Sequence, residues 1–406
     1  MSEQFSKGQQ VAEPKITPQT EMLAIPPRKS KLFIGIPKES SFQENRVALV
    51  PSGVASLVGG GHRILIESEA GVKSNFSDLD YTEAGAEISY DKKEIFEADI
   101  ILKVAPLKMD ELEYLRPNQI LITPLHLPTI SQEYLEKLKQ KRVIALAKEY
   151  IKDDFNSFPI VRILSEIAGY SAMLTAAELL SITGEGTGVL LGGISGVPSA
   201  KVVVLGAGVV GEYATRAALG LGAEVRIFDN NINKLMRLQN NVGRKIYTSV
   251  LNPFYLEAEL IQADVAIGAF HSKTGRTPIL VSEDVVMKMK PGSVIIDVSI
   301  DQGGCFATSE VTDHKNPTIV KHDVIHYGVP NIASRVARTA SIATSNILSS
   351  ILFKAAGHGS IEHLLYDNAG LRNGVYMYKG CLTNEYLGRR FSMKSMDLNL
   401  LLTSSI

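Results

Sequence analysis

Residues 201–231 read KVVVLGAGVVGEYATRAALGLGAEVRIFDNN, and their order of elements decides the fold. A β-branched run, KVVVL, leads directly into Gly206, Gly208 and Gly211 at G-x-G-x-x-G spacing. A helix-period segment follows, then a second apolar run, EVRIF, and an acid, Asp229. The first glycine permits a sharp turn, the second lets backbone approach a pyrophosphate, and the third lets the helix pack closely on the strand. The N–H groups at the helix start supply donors and partial positive charge to phosphates. Asp229 is placed to accept hydrogen bonds from adenosine ribose hydroxyls, which points to NAD rather than NADP. Asn230 and Asn231, with no arginine beside Asp229, offer no obvious 2′-phosphate site. Lys234 can touch the ribose edge, although a solvated helix charge explains it equally well.

Outward from this stretch, short apolar runs alternate with helix-period segments in both directions. Before it lie LFIGI (32–36), HRILIES (62–68), DIILKVA (99–105), QILITPL (119–125) and RVIALAK (142–148). After it come KIYTS (245–249), ADVAIGAF (263–270), SVIIDVS (293–299) and DVIHYGV (323–329). Such alternation requires mostly parallel sheets with helices on their faces, an α/β fold with two doubly wound domains. Residues 161–183 and 339–357 are apolar at helical spacing and predict two long bridging helices, the second carrying the chain back to the first domain. The last fifty residues predict only short helices and coil. The first thirty are polar with four prolines and predict a flexible arm.

Composition bounds the function. A chain of 406 residues exceeds what one core usually serves. Lys plus Arg is 42 against 43 Asp plus Glu, so no basic excess draws nucleic acid or an anionic membrane. Two cysteines, Cys305 and Cys381, make no disulfide framework and fit a reducing compartment. Met22–Ile25 is too brief for a secretory core, and no segment supplies roughly 18 uninterrupted apolar residues. The expectation is a cytoplasmic protein, neither secreted nor integral.

Chemistry with a nicotinamide cofactor needs an acid/base group near neutrality and cations to hold an anionic substrate. Arg46, Lys103 and His126 are candidates because they lie at the ends of predicted strands, where open parallel sheets bind ligands. In IIDVSIDQGGCF (295–306), Asp301 is placed at the cleft, whereas Asp297 alternates with core residues and reads as a buried, hydrogen-bonded acid. Cys305 reads as a small buried hydrophobe. His314, His322 and His326 cluster in sequence, but residues four apart on a strand are separated by about 13 Å, too far to share an ion. No metal site is expected.

These residues resemble the family of alanine dehydrogenases, which also contains the NAD-binding subunit of pyridine nucleotide transhydrogenase. The resemblance runs from about Lys31 to about Gly380 through IGIPKESSFQENRVALVPSGV, ILKV (101–104), TPLHLP (123–128), LSEIAGYSA (164–172), GVLLGGISGV (188–197), VVVLGAGVVG and DVSIDQGGCF (297–306). It implies a substrate domain built from 31–160 and 335–406, into which a Rossmann NAD domain, 161–334, is inserted. It further implies that Arg46 grips the substrate carboxylate, Lys103 contacts the carboxylate or carbonyl oxygen, His126 is the acid/base, and Asp301 positions water or the amino group. Ser165 is implied near the cofactor phosphates and Asn331 near the nicotinamide. The implied reaction is reversible: hydride leaves Cα of L-alanine for NAD, the imine is hydrated, and His126 shuttles protons as ammonium departs and pyruvate remains. A homo-oligomer, with a hexamer favoured, is part of the same resemblance. The alternatives are the transhydrogenase subunit and an L-amino-acid dehydrogenase of different side-chain preference. The chain departs from the pattern at Ala105-Pro106-Leu107, where a Lys-Glu-Pro-like segment is usual, and at Arg335 and Ala337.

Overall fold

Valine- and isoleucine-rich runs form the interior strands of two sheets. The computed structural model describes residues 31–403 except 42, 128, 273 and 274, so the expected arm at 1–30 lies outside the described residues. The first sheet contains β1 (Phe33–Ile36), β2 (Arg63–Glu67), β3 (Glu87–Ser89), β4 (Ile100–Leu102), β5 (Ile120–Thr123) and β6 (Ile144–Ala147), all parallel and in the order β3-β2-β1-β4-β5-β6. The second contains β7 (Lys201–Leu205), β8 (Glu224–Phe228), β9 (Tyr247–Ser249), β10 (Val265–Gly268), β11 (Val294–Asp297), β12 (Thr318–Lys321) and β13 (Val324–Tyr327). Its order is β9-β8-β7-β10-β11-β13-β12. Only β12 runs antiparallel there. Both sheets reverse direction of growth at their first strand, and the crevice beyond the carboxyl ends at such a reversal is where open α/β sheets take ligands.

One expectation is corrected. The last fifty residues include two strands, β14 (Val375–Tyr378) and β15 (Cys381–Leu382), which extend the first sheet antiparallel beyond β6. The first sheet is therefore built from both ends of the described chain. The run VYMY is only four residues long and is buried at every position rather than alternating, so it carries no period-2 signal. The short strand β3 and the antiparallel edge β12 also lack one.

Ile34, Ile66, Ile100, Ile122 and Leu146 fill one face of the first sheet at no more than 1% exposure, and Val202, Val204, Ile267 and Ile296 do the same in the second. Each such side chain contributes roughly 2 kcal/mol relative to staying in water. The first bridging helix spans Pro159–Leu179, with proline in its first turn. Gly169 on it meets the helix Val209–Gly220 so closely that a Cβ would lie 2.5 Å from the Val210 carbonyl oxygen. Among the described residues this bridging helix alone has the length and hydropathy of a membrane span, and 44% of that window is buried inside the protein.

The second bridging helix, Ala337–Gly357, docks on the segment after β1. Its Ser341 and Ser345 hydroxyls accept hydrogen bonds from the Val47 and Val50 N–H groups at 3.0 and 3.1 Å. Ser334, just before it, accepts from Asn45 N–H and donates to the Gln43 carbonyl. Residues 43–50, which have no regular structure of their own, are thus held by the chain's distant second half.

Candidate active site

The glycine loop has the expected geometry. Gly206 lies at φ 109°, a left-handed conformation that side chains rarely adopt. A Cβ on Gly211 would lie 1.8 Å from the Gly206 carbonyl oxygen, so only glycine lets the helix pack here. Gly208 caps the helix Val209–Gly220, and a Cβ on it would meet nothing within 4 Å. Its backbone is open to a ligand rather than to protein. Asp229 follows β8 and is 3% exposed; one oxygen accepts from Ala207 N–H in the glycine loop at 2.8 Å and the other from Asn231 N–H at 2.7 Å. Each oxygen keeps a second lone pair for a ribose hydroxyl. Lys234 Nζ lies 3.9 Å from Asp229. Arg237, unremarked in the sequence, bonds the Ala207 carbonyl from the neighbouring helix.

A cavity of about 450 Å³ opens between the two sheets, lined by Gly208 and Val209 of the glycine loop, Ser165 of the bridging helix, and Arg46, Asp301 and Asn331. The sequence reading brought each of these residues except Val209 forward separately. Phe270 and His271, which follow β10 and also line the cavity, were missed because AIGAFHS carries no motif.

Arg46 is 8% exposed and pairs with Glu44 through two parallel bonds, Nε to Oε1 at 2.8 Å and Nη2 to Oε2 at 2.7 Å. Glu44 also accepts from Asn331 Nδ2 at 3.0 Å. Asn331, at φ 57°, donates its backbone N–H to Asp301 at 3.1 Å. These contacts join the end of the first sheet to the second across the cavity mouth. Burial pushes the Glu44 carboxyl up, but the Arg46 guanidinium overrides it and holds the pKa below the usual 4.5. Asp301 is shifted the other way: its enclosed position raises its pKa, and Asn331 N–H, His126 and Arg46 only partly offset that. A depressed folded-state pKa adds stability above the unfolded value that is lost as pH falls through the folded one. Glu44→Gln is therefore expected to lower Tm at pH 7 and to flatten the loss of stability below pH 4.5. Thermal melts from pH 3 to 7 check this, and parallel curves for the two proteins would disprove it.

His126 is exposed, in the loop after β5, at φ 49°. The expectation that it ends the strand is corrected: pairing stops at Thr123, because Pro124 lacks the N–H that a further ladder bond needs. Its Nδ1 lies 2.6 Å from Thr129 Oγ1. Glu149, after β6, anchors this loop by accepting from the Leu125 and His126 N–H groups at 2.8 and 3.3 Å. The other Glu149 oxygen is buried without a partner, and burial raises its pKa.

Lys103 is not where the resemblance implied. It is fully buried, and its amine bonds both oxygens of Glu111 at 2.8 and 3.1 Å, with Glu39 at 3.7 Å. Side chains two apart on a strand share a face, and Ile101 belongs to the core with Leu107, Leu112 and Leu115. Lys103 follows it onto that face, beneath Glu111, where it is fully buried and already paired with that carboxylate. The lysine that the reading overlooked is Lys148, directly after β6. It is 4% exposed, and its amine donates to the carbonyls of Val104 and Lys103 at 2.8 and 3.3 Å. Glu39 accepts from Val104 and Ala105 N–H at 2.6 and 3.3 Å, and burial pushes its pKa up to about 7. Lys148 is passed over because the carbonyls it meets lie 44 and 45 residues away, and Glu39 and Glu44, although inside the quoted IGIPKESSFQENRVALVPSGV stretch, belong to no apolar period that marks them.

The remaining polar candidates have structural partners. Asp297 is 2% exposed and accepts from Cys305, Phe306 and Ser299 N–H and from the Ser309 hydroxyl. Cys305 is fully buried, and burial with the adjacent Asp297 pushes its thiol pKa well up, away from thiolate chemistry. His322 pairs with Glu283, while His326 lies between Thr308 and the Val324 carbonyl. No group of three metal-ligating side chains occurs among the described residues.

Comparison with known proteins gives consistent matches. Residues 35–168 match the family described as alanine dehydrogenase/PNT, N-terminal domain, and residues 172–385 match its C-terminal domain. Alanine dehydrogenase 2 of Staphylococcus aureus (strain USA300) is 40% identical over 362 residues, 89% of this chain and 97% of that protein. A solved L-alanine dehydrogenase superposes with TM-score 0.83 at 36% identity, over 88% of this chain and 99% of that one. A transhydrogenase from Sinorhizobium meliloti has TM-score 0.74 at 24% identity over 87% and 99% of the two chains, a likeness of fold alone.

Proposed function

The chain belongs to the alanine dehydrogenase/PNT family, and on that premise we propose that it oxidatively deaminates L-alanine to pyruvate and ammonium, reversibly, with NAD. The observation that carries this reading is the single cavity where the glycine loop meets Arg46, Asp301 and Asn331. Residues 31–160 with 335–406 form the substrate domain and 161–334 the NAD domain.

The open backbone at Gly208, the helix start behind it and Ser165 would hold the pyrophosphate, Asp229 would hold the adenosine ribose, and Asn331 would contact the nicotinamide end. NAD, when bound, supplies the hydride acceptor. Arg46, fixed by Glu44, presents its remaining N–H groups to the substrate carboxylate and so orients Cα. His126 takes and returns protons on the amino nitrogen and the attacking water; with Nδ1 engaged by Thr129, Nε2 is the exchanging atom. Asp301, its pKa raised and its position fixed by Asn331 N–H, holds that water or the departing amine.

The test is NADH formation with a panel of L-amino acids and NADH oxidation with pyruvate plus ammonium. Turnover with alanine and pyruvate is expected, and none with either would overturn the reading. Asp229→Ala is expected to weaken NAD binding by roughly tenfold or more, as loss of charge-assisted hydrogen bonds does, and to narrow the preference over NADP. Isothermal titration calorimetry with each dinucleotide checks this; unchanged NAD affinity would remove Asp229 from the site. A cytoplasmic homo-oligomer, hexameric by family resemblance, completes the proposal, and light scattering measures its mass.

A further inference from the structure

Lys148 occupies a position that the roles above leave unexplained. It follows β6, yet its amine reaches across β5 to the carbonyls of Lys103 and Val104 at the end of β4. That places it at the carboxyl end of the first sheet, where Arg46, Glu44 and Glu39 act on it electrostatically, as does Glu149 on its own element. No carboxylate lies within ion-pair distance of it among the described residues. The three nearby carboxylates have partners elsewhere: Glu44 in Arg46 and Asn331, Glu39 in Val104 and Ala105 N–H and Lys103, and Glu149, through one oxygen, in Leu125 and His126 N–H.

A neutral amide could satisfy two carbonyls as well as an ammonium does, so hydrogen bonding alone does not call for a lysine. Burying an unpaired ammonium next to a guanidinium costs free energy through both desolvation and like-charge repulsion. Such a pair becomes favourable when an anion enters between the two cations. Two of the three N–H groups of Lys148 are committed to carbonyls, which leaves one for that anion.

We propose that Lys148 is the second cation of the substrate pocket, binding the substrate carboxylate jointly with Arg46 in the place that the resemblance gave to Lys103. This rests on the dehydrogenase reading above. Lys103, already neutralised by Glu111, then serves only to hold the end of β4. Burial, and next Arg46, lower the Lys148 pKa to about 8. In the substrate-free enzyme the amine thus loses its proton just above neutrality, and carboxylate binding weakens with it.

The experiment compares wild type with Lys148→Gln, which keeps a donor for the two carbonyls but removes the charge. KM for pyruvate, with NADH saturating and free ammonia held constant, is expected to rise about 10- to 100-fold, the effect of losing a charge-assisted hydrogen bond. NADH affinity and Tm should stay near wild type. In wild type, kcat/KM for pyruvate should fall as pH rises through about 8, and the variant should lack that limb. A wild-type KM with the limb retained would overturn the proposal. So would a variant that fails to fold, or one whose NADH affinity falls in step with the KM, since either makes Lys148 a structural residue. Wild type inactive with alanine and pyruvate would instead sink the dehydrogenase reading itself.

Discussion

Replacing His126 by alanine is expected to lower kcat by about 10²- to 10⁴-fold in both directions, the range that a positioned acid/base supplies, while NADH binding stays unchanged. The side chain is exposed in the loop after β5, and its loop is anchored through backbone N–H groups to Glu149. Removing the imidazole therefore deletes the proton carrier without collapsing its support. The glycine loop and Asp229, proposed above to hold the dinucleotide, belong to the other sheet. Steady-state rates with pyruvate plus ammonium, beside NADH titration, separate the two effects. A variant within a few-fold of wild-type kcat would take His126 out of the mechanism. Thr129→Val supplies a graded control: loss of the Nδ1 partner should lower kcat by less, because the imidazole remains but is free to turn.

Arg46→Ala should strike both activity and stability. The guanidinium and Glu44 are nearly buried, with side-chain exposures of 9% and 5%. Deleting the cation leaves the Glu44 carboxylate with Asn331 Nδ2 and the Arg46 backbone N–H as its described donors. Stranding a buried charge in this way costs about 3–5 kcal/mol, which is a large share of a typical folding free energy. Activity with alanine should fall beyond the loss of stability, because the substrate carboxylate loses its principal partner. Arg46→Lys separates the two: it restores charge but not the paired geometry, so it should recover more of the Tm than of kcat/KM. Denaturant melts and kinetics on both variants test this. Equal recovery of Tm and activity by lysine would show that charge alone matters at this position.

The dinucleotide end of the site was legible because its residues are contiguous. Strand, glycines, helix, strand and acid follow one another within 201–231, and local sterics explain each glycine. Strands β1, β2, β4, β5 and β6 were legible for a similar reason, since buried parallel strands are continuous apolar runs. The four residues of β14 were not, because antiparallel pairing with β6 is a property of the sheet and leaves no mark in so short a segment.

The substrate end was legible only in part. Arg46, His126 and Asp301 follow apolar runs and were found on that ground. The resemblance gives Lys103 to the substrate, although the alternation of β4 turns it into the core beneath Glu111. Glu149 and Lys148 give no signal beyond being charged residues near a strand end, and Glu39 and Glu44 lie in the quoted stretch 34–54 without a pattern that assigns them a role.

By itself, then, the sequence determined the α/β class, the glycine cradle and its acid, because those depend on neighbours a few residues apart and on the period of apolar side chains. Only the tertiary structure decided which cations face the cavity. Whether a lysine after one strand meets the carbonyls at the end of another, as Lys148 does, depends on which segments the sheet order brings together. A charge separated from its partner by dozens of residues is invisible to any local pattern, whereas burial makes that partner decide its chemistry.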